Sequence, residues 1–336
     1  MTNKATKRKT WIDITRILSM FIIIIGHTPC YENTVLAYLT TFHVAVFFII
    51  SGYLYHPQPL GKEIVKSFKS LMIPYIILGI ANIAYWSFIQ THTTGTPLPH
   101  NIMHYSTQLI TTSIGLPMIG PLWFLVVLFL LRICFIKIRR GITISIFCFF
   151  SILTALFINH QFKTSAFYAP LNIFLAIPFF LMGYISQTYG QNIDRLLSIS
   201  LNRRIPATLI LFCLSYIVFC FQGGNNMSKH DFGNNIITFY ICAIIGSLWI
   251  IILASIVAPQ NSSKLHSWLT ITNNGLPLMI GLQIMMIDII KRICSIYAFH
   301  IIEASAIGMV IIIICIPITI FCMRYCPWII GRKANY

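Results

Sequence analysis

The chain has 336 residues, 57% hydrophobic and only 9% charged, where soluble domains carry roughly 25% charged residues. That balance excludes an ordinary soluble protein. The net charge of +16 does not point to nucleic acid, because the basic residues are dispersed between apolar runs and form no single patch or aromatic-interleaved stripe.

Apolar runs of about 17–25 residues recur along the whole length, each long enough to cross a hydrocarbon core of roughly 30 Å as a helix. The expected fold class is all-α, a polytopic integral membrane protein forming one domain. The basic start "KATKRK" followed by "MFIIIIG" has the outline of a signal peptide. No A-x-A-like cleavage site follows, and Asp13 and Arg16 interrupt the apolar run, so the segment is expected to stay as the first helix. Expected spans are 11–29, 36–55, 71–90, 121–138, 142–159, 170–189, 205–222, 235–258, 275–290 and 301–323. Ten crossings put both termini on one side. With residues 1–10 as a basic cytoplasmic tail, the inner segments hold 18 of the 23 lysines and arginines and the outer segments four, as the positive-inside rule requires of cytoplasmic termini.

Two polar stretches interrupt the pattern. Residues 91–120 are expected to form an outer loop with a short interfacial helix, and "TNNGLPL" (272–278) an irregular start to the ninth span. A second polar loop, "QGGNNMSKHDFGN", sits at 222–234, and both loops are candidates for contact with a glycan. The ten cysteines include no CxxC pair and mostly lie in apolar runs, where cysteine acts as a small hydrophobe. Neither a disulfide framework nor a metal site is expected.

Charged side chains inside a span cost about 2.5–3.5 kcal/mol at mid-helix, so they usually face protein or a water-filled cavity. Arg16 and His27 are eleven residues apart on the first helix, within roughly 20° of one face and separated by roughly 16 Å of rise. The bland alternative is a snorkelling arginine and an interfacial histidine. The second span weighs against it: His43 enters near the depth of His27, and Ser51, Gly52 and Tyr53 follow near the depth of Arg16. Asp288 precedes Lys291 and Arg292 at helical spacing, which favours a local ion pair. Glu303 has two readings, pairing with those same basic residues or lining an acceptor cavity. Trp123 and Tyr75 fit equally as interfacial anchors or sugar-stacking platforms.

These residues carry a resemblance. Asp13, Arg16 and His27 resemble, in order and spacing, the first helix of acyltransferase family 3 integral membrane O-acyltransferases, especially the fucose 4-O-acetylase-like branch. Phe42, His43, Phe47, Phe48, Ser51, Gly52, Tyr53 and Leu54 are similar to its "FH.PLFFF.SGYL". Lys66, Lys69, Leu71, Ile73, Pro74 and Tyr75 match a basic segment ending in "L.IPY", and Leu122 to Leu125 a later "LWFL". The similarity is dense over 11–75 and diffuse afterwards. Gly120-Pro121 stand where the family often has a histidine before "LWFL". A late "G.NSL.IYLLH"-like stretch reads "NNGLPLMIGLQ", keeping Asn274 and Leu276, with Gln283 near the lost terminal histidine.

The resemblance implies transfer of an acyl group, usually acetyl from cytoplasmic acetyl-CoA, to a sugar hydroxyl of a surface or secreted glycan or a lipid-linked oligosaccharide, in the bacterial cytoplasmic (inner) membrane. His27, His43 and Arg16 are the expected catalytic residues. Arg16, Asp13, Lys66, Lys69, Arg132, Ser51 and Tyr53 are expected around the donor, and Trp123, Asn274, Gln283 and Glu303 around the acceptor. Besides the glycan, membrane lipid is the expected partner; no oligomeric state is specified. Two other readings stay open on sequence alone: a transporter or flippase for a lipid-linked glycan, and a structural membrane partner whose polar residues glue helices together.

Overall fold

In hydrocarbon a backbone polar group finds its partner only within a helix or a closed barrel, and the described residues of each expected span are mostly helical. The computed structural model describes residues 9–111, 113–114, 120–136, 141–161, 167–190, 192–258 and 263–332. The helices are α1 (Thr10–His27), α2 (Asn33–Thr40), α3 (His43–Tyr53), α4 (Leu60–Ser67), α5 (Ile73–Thr94), α6 (Leu98–Thr111), α7 (Trp123–Cys134), α8 (Gly141–Gln161), α9 (Ile173–Ile185), α10 (Asn192–Leu197), α11 (Leu201–Gln222), α12 (Ile236–Val257), α13 (Ser263–Asn274), α14 (Leu276–Cys294) and α15 (Ile301–Tyr325). Two-residue strands β1 (Ser113–Ile114) and β2 (Phe167–Tyr168) pair antiparallel. Among the described residues seven helical segments are long and apolar enough to cross a membrane: Thr10–His27, Asn33–Tyr53, Leu60–Thr94, Pro170–Thr188, Leu201–Gln222, Ile236–Val257 and Ile301–Tyr325. The chain is a polytopic membrane protein. Of the other three expected spans, α7 and the apolar part of α8 are shorter, and α14 carries Asp288, Lys291 and Arg292.

Helix α1 sits at the centre, packed against α3, α12, α13, α14 and α15. At the periphery α11 turns Leu209, Ile210 and Ile217 outward, the surface a lipid-facing helix needs.

Three local departures from uninterrupted helix shape the interior. The second span breaks between α2 and α3, where the Thr40 and Thr41 hydroxyls donate to the Ala37 and Tyr38 carbonyls. Such side-chain bonds compete with helix continuation, and the break makes His43 the first residue of α3. The third span is longer than expected: α4 and α5 join through a π-helical turn at Phe68–Met72. Within 91–120, the described residues are largely helical. Helix α6 folds back along α5, where Tyr75 donates to the Leu109 carbonyl at 2.7 Å and Gly79 makes room for the Leu109 side chain. At 272–278 the irregularity is a single residue, Gly275, between α13 and α14.

The tightest crossing joins α3 to α9. A Cβ on Gly52 would lie 1.9 Å from the Phe180 carbonyl oxygen, and one on Gly183 would lie 1.9 Å from that of Ile49. The two backbones therefore touch, as small residues at membrane helix interfaces allow. Gly52→Ala or Gly183→Ala is expected to cost about 1–3 kcal/mol or more by forcing the helices apart. Gly61→Ala, with open space around it, is expected to be neutral or slightly stabilising. Thermal unfolding of the detergent-solubilised protein checks the contrast.

Candidate functional site

Four helices, α1, α3, α7 and α14, enclose two cavities stacked along α1. The first, about 160 Å³ in volume, is lined by Ile23, Gly26 and His27 of α1, by His43, Val44 and Phe47 of α3, and by Trp123 and Phe124 of α7. Ile280 of α14 and residues 225–228 of the α11–α12 loop complete the wall. The second, about 320 Å³, is lined by Arg16 of α1, Ser51 of α3, Lys66 of α4, Arg132 of α7, Asn274 of α13 and Arg332 near the carboxy terminus. Apolar residues including Phe47, Phe124 and Ile280 close it.

The histidine cavity brings His27, His43 and Trp123 together. His27 ends α1 and lines the cavity. His43 is buried, and its Nδ1 lies 3.2 Å from the Leu39 carbonyl. A carbonyl only accepts, so Nδ1 carries the proton and Nε2 of the neutral ring keeps its lone pair. That tautomer equips His43 to take a proton from a hydroxyl. Trp123 is 4% exposed. It is a cavity wall, and its aromatic surface suits a sugar ring.

The loop anticipated at 222–234 contributes Asn225, Asn226, Met227 and Ser228 to this cavity. Gly223 and Gly233 supply the positive φ values of +70° and +73° that the turn needs. His230 holds the loop down: its ring nitrogens lie 3.0 Å from Asn172 Oδ1 and 3.0 Å from the Ala155 carbonyl. Asn172 in turn donates to the Ser228 carbonyl. Burial pushes the His230 imidazole down to about 4, and the neutral ring has a single N–H, so it donates to one of these two oxygens at a time.

The arginine cavity gathers Arg16, Lys66, Arg132 and Arg332 with Ser51 and Asn274, and no carboxylate lies among its described lining residues. Arg132 does have a counter-charge nearby in Glu63, whose Oε1 accepts from the Ser67 hydroxyl. Asn274, anticipated on the acceptor side, belongs here: its amide oxygen accepts from the Arg332 guanidinium. Arg332 carries no local signal, because apart from the terminal turn its nearest lining neighbour in the chain is Ile280, about 50 residues earlier. That turn, Pro327–Ile330, folds back so that Gly331 rests on the Ser70 backbone. The arrangement suits an anion with several phosphates.

Five anticipated site residues line neither cavity. Asp13 is buried in the first turn of α1, and its carbonyl accepts from Asn273. Tyr53 bonds Lys9 Nζ and packs on Trp11. Lys69 is exposed in the π turn. Gln283 is fully buried one turn past Ile280, its Nε2 3.4 Å from the Ile280 carbonyl. Glu303 accepts from the His300 backbone N–H at the start of α15. Neither alternative anticipated for Glu303 is met, because its carboxylate caps its own helix. Beside it Glu32 accepts from the Ile301 N–H and the His300 ring; this bond raises the His300 pKa above its ordinary value and lowers that of Glu32. Asp288 pairs with Arg292 at 2.6 Å, as its spacing suggested, and also accepts from Tyr85.

A soluble polyphosphate such as ADP is expected to bind the arginine cavity with salt-dependent affinity. Arg332→Gln and Arg132→Gln should each weaken it roughly tenfold or more, since a hydrogen bond to a charged group contributes about 1.5–3 kcal/mol. Calorimetry on the solubilised protein measures this; equal affinity in both variants would remove these side chains from the binding surface.

Comparison with known proteins adds the chemistry that geometry alone leaves open. No curated protein and no solved structure matches the chain. The family model described as the acyltransferase domain, of acyltransferase family 3, matches residues 9–323, which takes in every described lining residue of the two cavities except Ile330, Gly331 and Arg332. The chain thus belongs to acyltransferase family 3 and is a membrane acyltransferase.

Proposed function

We propose that this acyltransferase takes a short acyl group, acetyl by preference, from acetyl-CoA held in the arginine cavity and delivers it to a sugar hydroxyl held in the histidine cavity. The observation that carries the reading is the division of labour between the cavities. Four cations line one, and two imidazoles with a tryptophan line the other. The phosphates of coenzyme A match the first; a sugar, with an apolar face and ionisable hydroxyls, matches the second. The lysine and arginine distribution supports a cytoplasmic arginine cavity, and so an acceptor on the opposite side, as for a surface glycan or lipid-linked oligosaccharide. The resemblance of residues 11–75 to the fucose 4-O-acetylase-like branch supports a sugar acceptor and a bacterial cytoplasmic membrane.

In this reading His43 Nε2 accepts the proton of the attacking hydroxyl. The new C–O bond forms as the thioester C–S bond breaks, and the leaving thiolate takes up a proton. His27, across the same cavity, donates to the oxyanion that develops on the carbonyl. General base catalysis contributes typically 10²–10⁴-fold. Arg16, with Lys66, Arg132 and Arg332, orients the donor, and Ser51 and Asn274 offer neutral hydrogen bonds beside the phosphates. Trp123 stacks on the sugar. Family membership favours this over the transporter and structural readings, neither of which needs covalent chemistry.

The test is the O-acetyl content of the host's surface polysaccharide, read by proton NMR in a deletion strain complemented with wild type, His27→Ala or His43→Ala, with membrane levels of each protein checked. Acetyl signals should vanish on deletion and return with wild type alone, the histidine variants restoring under about 1%. A polysaccharide that keeps its acetyl groups but stays inside the cell would contradict the proposal.

A further inference from the structure

Phe47, Phe124 and Ile280 belong to the walls of both cavities. Their position follows from helix register. On α3, His43, Phe47 and Ser51 fall at i, i+4 and i+8, one face of a helix; His43 lines the first cavity, Ser51 the second and Phe47 both. On α7, Trp123 lines the first, Leu125, Leu128 and Arg132 the second, and Phe124 both. On α14 the second cavity takes Leu276 and Pro277, and Ile280 is shared. The three shared side chains are at most 9% exposed, and the Phe47 and Phe124 rings meet edge to face at 5.7 Å between centroids. Phe124 is backed by Phe48, with ring centroids 4.8 Å apart, so it has no room to swing away from Phe47 on that side. What separates the cations from the imidazoles is therefore one layer of apolar side chains.

We infer that Phe47, Phe124 and Ile280 form a sieve that sets the length of the acyl chain this enzyme transfers. The inference rests on the proposed function and deepens it. With the phosphates of the donor among the cations, its acyl end must enter the shared layer before the thioester carbonyl comes within reach of an imidazole. A two-carbon acyl group displaces little there, whereas each further methylene has to fit between rings already in contact. A methylene too many in a closed apolar pocket typically costs 10- to 200-fold. The layer also keeps bulk water from passing between the cavities, which limits hydrolysis of the thioester as it crosses. The transfer itself is balanced as above: one C–S bond is exchanged for one C–O bond and the hydroxyl proton ends on the thiol.

The test uses the full-length protein in nanodiscs and reads affinities by calorimetry for coenzyme A, acetyl-CoA, butyryl-CoA and hexanoyl-CoA, so no acceptor is needed. For wild type, affinity relative to coenzyme A itself should hold for acetyl and fall at least tenfold for butyryl and further for hexanoyl. Ile280→Ala should raise the butyryl to coenzyme A ratio at least tenfold. Phe124→Leu, a milder widening in case the alanine variant folds poorly, should move it the same way. Ile280→Trp should push the cut-off down so that acetyl-CoA binds less tightly than coenzyme A. A chain-length profile that is identical in wild type and in all three variants, with coenzyme A bound, overturns the sieve and leaves the donor site standing. Failure of wild type to bind coenzyme A or any of its thioesters overturns the donor reading, and the sieve with it.

Discussion

Backbone contact between α3 and α9 at Gly52 and Gly183 is the constraint on which the interior depends. A helix that touches its neighbour without intervening side chains cannot rotate about its own axis, and α3 is the helix whose opposite face serves both cavities. Gly52 lies about 140° around the helix from Phe47 and about 180° from His43 at 100° per residue. Locking one side therefore aims the other at α1, α7 and α14. The break at Thr41 completes the setting: it begins α3 at His43 and spends the Leu39 carbonyl on the His43 ring, leaving one nitrogen for chemistry.

The same economy governs the polar residues. A membrane interior tolerates charge only where protein or a cavity surrounds it, and two groups of charged side chains among the described residues show it. Asp288 with Arg292, and Glu32 with His300, are neutralised locally near helix ends. Arg16, Arg132 and Arg332 converge with Lys66 on one cavity, an arrangement that suits an anionic ligand. The acyltransferase family supplies the reason for such a ligand, and the position of the imidazoles one cavity away supplies the reason for its reach.

Much of this was legible in the residues. The apolar periodicity found the seven segments long and apolar enough to cross a membrane, with α7, α8 and α14 at the three remaining expected positions, and the eleven-residue spacing of Arg16 and His27 anticipated a polar stripe that the structure divides between two cavities. Arrangement within a helix was legible from spacing, as for His43 and Ser51 on one face of α3 and the Asp288–Arg292 pair on α14. Spacing failed where a contact depends on chain reversal. Arg332 reaches Asn274 only because the terminal turn folds back onto Ser70, and nothing in local pattern encodes that. Glu303 misled because a carboxylate in the first turn of a helix has a nearby backbone N–H to accept, a local claim stronger than any distant lysine. The shared roles of Phe47, Phe124 and Ile280 were hidden for another reason: apolar residues in apolar helices carry no pattern that separates a wall from a core.

The central claim is that the acyl group enters from the cation-lined cavity and leaves from the histidine-lined one, across the apolar layer between them. Sealed proteoliposomes holding the protein in one orientation test it most directly, with radiolabelled acetyl-CoA supplied only on the arginine side and de-O-acetylated host polysaccharide only on the histidine side. The account predicts label on the polysaccharide while acetyl-CoA stays in its own compartment. Label that appears only when donor and acceptor share a compartment would contradict it.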